Sequence, residues 1–118
     1  MNQKELFNLI DKYRSYKRFI KSDSLTIAIQ RLERSAKFGC QHALLEKEVT
    51  CWGFMGRMDS LIELLPDSER QFVKSVLSIN TYEKANTSQI AKEAGISSYK
   101  VKQFLDCVLA EFNQKEKR

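Results

Sequence analysis

One proline and four glycines among 118 residues are too few for a β-rich fold, whose many tight turns depend on both. Leu, Lys, Glu, Gln, Ala and Arg are plentiful instead, so an all-α chain is expected. The sequence has no apolar run long enough to span a bilayer and no apolar signal-like region at its start. Its three cysteines, Cys40, Cys51 and Cys107, are odd in number, which with the missing signal leads to the expectation of a cytoplasmic chain with reduced thiols. Histidine is nearly absent too. Cys40, His42 and Cys51 offer thiolate and imidazole, but a structural zinc site needs four ligands at regular spacing, and Cys107 falls in a helix expected to pack. Two neighbouring residues on helices do not make an oriented nucleophile and base. There is no phosphate-cradling glycine loop and no carboxylate cluster for metal-dependent phosphoryl transfer. No enzyme, metal or cofactor is expected.

The charge balance is +5, with 11 Lys/Arg against 7 Asp/Glu in residues 1–59 and 9 against 8 in residues 60–118. A polyanion suits this excess, most of which precedes residue 60. In residues 4–20 the apolar positions Leu6, Phe7, Ile10, Tyr13, Tyr16 or Lys17, and Ile20 recur every three or four residues, as an amphipathic helix requires. Lys12, Arg14, Lys17, Arg18 and Lys21 load its other side with positive charge. Two readings remain open for this face: a solvated helix surface, or a phosphate-contacting one in which Arg14, Lys17, Arg18 and Lys21 follow a nucleic-acid backbone. Binding to a membrane surface is disfavoured, because the apolar side holds many tyrosines and few large aliphatics.

Ser22-Asp-Ser24 is a polar break, and a second helix is expected from Ser24 or Leu25, with Gly39 ending or kinking it. Leu25, Ile27, Ile29 and Leu32 mix two periodicities. A long helix follows from Gln41 through Trp52, Met55, Met58 and Leu65, with Gly53 and Gly56 as weak points, until Pro66 stops it. Asp67 or Ser68 can cap the next helix, whose inner face is Phe72, Val73, Val76 and Leu77. The expected division is a helical segment over residues 1–65 and a second domain over residues 66–118.

Residues 86–105 carry the clearest chemistry. Two short helices crossing over a tight turn need small residues where the backbones approach, a turn residue, and apolar residues on both inner faces. Ile90 and Ala91 fit the first inner face, Gly95 the left-handed turn, and Ile96 the corner. Ser97 is placed to cap the second helix, from which Val101, Phe104 and Leu105 return to the core. Ser98, Tyr99, Lys100, Lys102 and Gln103 are left outside, with no acidic residue between Ser97 and Leu105. This is the pattern of a helix-turn-helix whose second helix reads base edges with those five residues, while Ser88, Gln89 and Lys92 touch the backbone. A plain pair of packed helices is the alternative. The fold expected is all-α: an N-terminal helical segment, then a tri-helical helix-turn-helix unit with a long last helix reaching Phe112. The distal half of that helix would bind the N-terminal segment or a second copy of the chain.

Leu64-Leu-Pro-Asp-Ser-Glu-Arg70, an apolar helix, Ser88-Gln-Ile-Ala-Lys-Glu-Ala-Gly-Ile-Ser97 and the long final helix resemble region 4 of sigma-70-type factors. More narrowly, over residues 55–112 the chain resembles small phage late transcription regulators of the RinA and ArpU kind. The resemblance implies double-stranded DNA as partner, control of phage or mobile-element transcription, and contact with host RNA polymerase. The reading helix lacks the arginines usual in sigma region 4, and residues 1–54 have no counterpart there, so a promoter-recognising sigma factor is not implied. Two other functions stay open: a helical adaptor for polymerase, a sigma factor or a packaging enzyme, and a small terminase-like packaging component. A homodimer suits a two-fold operator.

Overall fold

The computed structural model of the protein describes residues 1–38 and 42–116, all helix and connections, with no strand among them. The helices are α1 (Gln3–Phe19), α2 (Leu25–Phe38), α3 (His42–Glu63), α4 (Asp67–Leu77), α5 (Thr87–Ala94) and α6 (Ser98–Glu116). None is long and apolar enough to cross a membrane. Gly39, the expected end of α2, lies outside the described residues.

The helix ends follow local chemistry. Asn2 Oδ1 accepts from the Glu5 amide at 2.9 Å and Ser24 Oγ from the Ile27 amide at 3.2 Å, which satisfies orphan donors in the first turns of α1 and α2. The α3 helix runs through Gly53 and Gly56 and tightens at its end, with Leu64 and Leu65 amides donating to the Leu61 and Ile62 carbonyls before Pro66. Neither Asp67 nor Ser68 caps α4, contrary to expectation. Pro66 occupies the capping position, where its fixed φ suits the helix start, and its carbonyl accepts from the Arg70 amide at 2.9 Å. Asp67 pairs instead with the Arg70 side chain.

The chain forms two compact units that cut across the expected division at residue 65: Met1–Arg14 with Ser60–Arg118, and Ser15–Asp59. Their boundaries fall inside α1 and α3. In the first unit α4, α5 and α6 pack on one another around Ile90, Val76, Val101, Leu105 and Val108, all 1% exposed or less. The Phe72 and Phe104 rings stack between α4 and α6 with centroids 4.7 Å apart. Residues 1–14 join this unit for a physical reason: Leu6 and Ile10 are buried apolar residues one turn apart, and Asp11 Oδ1 accepts from the Ala85 amide at 2.8 Å. At the other end of α1, the Met1 ammonium donates to Asn113 Oδ1 at 2.8 Å and Asn113 Nδ2 donates to the Met1 carbonyl at 3.1 Å. Of the two roles open to the distal half of α6, binding the N-terminal segment is thus the one seen, with Val108 and Phe112 buried in the same unit.

In the second unit Ala28, Leu45, Cys51, Phe54, Met55 and Met58 are buried, and the Tyr16 ring meets Phe54 edge to face at 5.3 Å. Glu48, 4% exposed, accepts from the Lys21 and Ser22 amides at 3.0 and 2.6 Å and pairs with Arg31 at 3.6 Å. Burial works to raise its pKa, but the Ser22 hydroxyl, the two amides and the Arg31 charge outweigh that and hold it below the usual carboxylate value. The mixed periodicity of α2 has a visible outcome: Ala28 and Ser35 face inward, while Leu25, Ile27 and Ile29 stay exposed.

Candidate nucleic-acid interface

The α5 to α6 turn is fixed by backbone chemistry. Asn86 Oδ1 accepts from the Gln89 amide at 2.8 Å and starts α5. Gly95 ends it at φ 68° and ψ 28°, a left-handed conformation that a Cβ disfavours. The Gly95 and Ile96 amides both return to the Ala91 carbonyl, at 3.0 and 3.3 Å, which ties the turn to the last turn of α5. Ser97 Oγ then accepts from the Lys100 amide at 3.2 Å and opens α6, as the sequence predicts. Ile96, expected to plug the corner, is half-buried, as is Ala91.

Ser98, Tyr99, Lys100, Lys102 and Gln103 are all exposed on the first two turns of α6. Val101 and Leu105, at 0% and 1% exposure, hold the opposite side of the helix in the core and so fix which way the five point. Ser88 and Lys92 are exposed on α5. The patch therefore offers two lysines and hydrogen-bonding side chains on α6, with a third lysine on α5, suited to a polyanion that presents donors and acceptors. Beside it, Glu69, Lys100, Gln103, Phe104, Asp106 and Cys107 line an open hollow of about 450 Å³. Cys107, expected to pack, is exposed.

Two residues expected at the DNA backbone are elsewhere. Arg14 is 2% exposed: Nε and Nη2 donate to the Val76 carbonyl at 3.0 and 2.7 Å, and Nη1 donates to Gln89 Oε1 at 3.3 Å. Gln89 is 6% exposed, and its Nε2 is buried without a partner. Neither side chain can reach a phosphate. The cause is helical spacing, since position 14 follows Leu6 and Ile10 by eight and four residues and so falls on their buried stripe. The Val76 carbonyl, near the end of α4, offers the acceptor that makes burial of a guanidinium tolerable.

Lys17, Arg18 and Lys21 are exposed and belong to the second unit, Ser15–Asp59. Another cation of that unit, Lys47, sits over the Phe19 ring at 4.8 Å from its centroid. Among the described residues no group of three or more His, Cys, Asp or Glu could hold a metal ion, and Cys51 is buried. Cys40 and the His42 side chain lie outside the described residues. No known protein family, curated protein or solved structure matches the chain.

Proposed function

We propose that α4, α5 and α6 form a helix-turn-helix unit, and that the protein is a DNA-binding transcriptional regulator that lays the first two turns of α6 in the major groove. One observation carries the reading: the left-handed Gly95 turn, bonded back to Ala91, presents Ser98, Tyr99, Lys100, Lys102 and Gln103 as one exposed, acid-free surface over a buried Val101 and Leu105. Lysines there suit guanine edges or nearby phosphates, and Gln103 suits adenine. Ser88 and Lys92 contact the backbone from α5, and Lys17, Arg18 and Lys21 add sequence-independent affinity.

The likeness of residues 55–112 to sigma region 4, and to phage late regulators of the RinA and ArpU kind, supports a role in phage or mobile-element transcription in contact with host RNA polymerase. A two-fold operator calls for a second copy. Since Asn113, Val108 and Phe112 on the distal half of α6 are engaged within the chain, that copy seats elsewhere. Gel-shift of the full chain against genomic fragments, followed by footprinting, tests the reading. Protection of a defined duplex site supports it; no retarded fragment at low salt sinks it.

A second reading, a helical adaptor that binds proteins, has its own support. Leu25, Ile27, Ile29 and Leu44 are 38% to 57% exposed in the second unit. Leu25, Ile27 and Ile29 fall within one short stretch of α2, and grouped aliphatic exposure suits a protein partner. The same gel-shift separates the two readings.

A further inference from the structure

Asp106 stands on the outward side of α6, three residues beyond Gln103 and four beyond Lys102, and is exposed. Those spacings put it one helical turn further along the face assigned to DNA. Some other acids of this unit have structural tasks: Asp11 accepts from the Ala85 amide, Glu63 pairs with Lys74, Asp67 with Arg70, and Glu69 accepts from the Ser68 hydroxyl. Glu5, Glu83, Glu93 and Glu111 have no such partner among the described residues, but none of them follows Lys102 and Gln103 by one helical turn. Among the described residues no hydrogen bond or ion pair engages the Asp106 carboxylate, and Lys102 does not come within ion-pair distance of it. Its charge is therefore not spent inside the fold.

A free carboxylate on a DNA-facing helix is repelled by phosphates, and a hydrogen-bond donor on a base edge offsets that repulsion. Of the groups on base edges in the major groove, the N4 amino group of cytosine is a donor with no acceptor beside it on the same base. Adenine also carries an amino donor, but its N7 lone pair stands next to it and faces a carboxylate unfavourably. We propose that Asp106 is a specificity-determining residue that accepts a hydrogen bond from cytosine N4. This rests on the assignment of α6 as the DNA-reading helix.

The helix sets where that cytosine lies. Asp106 is about 4.5 Å further along the axis than Gln103 and about 6 Å further than Lys102, at ~1.5 Å per residue. With base pairs ~3.4 Å apart, the cytosine sits within about two base pairs of the position Gln103 contacts. An amide at position 106 has the opposite preference, because it pairs with adenine N6 and N7.

In vitro selection from a randomised duplex library, run with the full-length wild type, Asp106→Asn, Asp106→Ala and Gln103→Ala, tests this. Circular dichroism confirms that each variant is folded, as an exposed position predicts. The expected result is a wild-type consensus with a cytosine within two base pairs of the position relaxed by Gln103→Ala. Asp106→Ala relaxes that cytosine about tenfold, and Asp106→Asn turns it toward adenine. A consensus unchanged in Asp106→Asn, with affinity raised alike for all sequences, overturns the proposal and makes Asp106 a phosphate-facing charge while leaving the DNA-reading assignment intact. A wild type that selects no sequence removes both.

Discussion

The Arg14 guanidinium donates twice to the Val76 carbonyl, from Nε at 3.0 Å and Nη2 at 2.7 Å, and so clasps the first helix to the end of α4. Its Nη1 donates to Gln89 Oε1 on α5 at 3.3 Å. One buried side chain therefore links α1 to two of the three helices that present the candidate reading face.

Arg14→Ala removes these donors and leaves the Val76 carbonyl and the Gln89 amide oxygen buried without them. It is expected to lower unfolding stability by about 2–4 kcal/mol, measured by urea denaturation followed by circular dichroism. Arg14→Lys recovers only part of this, because an ammonium lacks the planar fork that meets one carbonyl with two nitrogens. A loss below about 0.5 kcal/mol in Arg14→Ala means the clasp contributes nothing.

Gly95 is the position where backbone conformation decides tolerance. A Cβ there meets nothing within 4 Å, so substitution costs backbone strain and not a clash. Gly95→Ala is expected to lose about 1–2 kcal/mol and Gly95→Asn clearly less, since asparagine tolerates the left-handed region. Thermal melts of the two variants check the order, and equal losses contradict it.

The Glu48 carboxylate gives a pH-dependent test. Its folded pKa is lowered, so the stabilisation is present above the unfolded value, about 4.3, and disappears as pH falls through the folded value. Glu48→Gln is expected to be less stable than the wild type at neutral pH by about 1–3 kcal/mol, since it replaces an ion that accepts two amides and faces Arg31. The difference should shrink as pH drops below about 4. A gap that stays constant into acid rules out the linkage.

Much of the fold is legible in the sequence because its punctuation is strong. Pro66, Gly95 and Ser97 mark helix ends where the structure has them. Period-3.6 apolar stripes place Ile90, Val101 and Leu105 inward. What failed was the assumption that a charged or amide side chain points outward. Arg14 shares the stripe of Leu6 and Ile10, and that spacing was a usable signal which its charge obscured. Gln89 gave no such warning, because α5 is little more than two turns long and its inner face is set by what packs on it. The grouping of residues 1–14 with residues 60–118 depends on contacts far apart in sequence, such as Met1 with Asn113, which periodicity cannot reveal. The acid-free outer face of α6 is legible residue by residue, and Asp106 lies one turn beyond it.

The most direct test of DNA reading by α6 is the salt dependence of duplex affinity, measured by fluorescence anisotropy for the wild type and for Lys100→Ala with Lys102→Ala. Both lysines are exposed, so the variant should fold as the wild type does. The account predicts a lower affinity and a shallower slope of log affinity against log salt, reduced by up to about 0.9 for each lysine that meets a phosphate. Affinity and slope indistinguishable from wild type would contradict it.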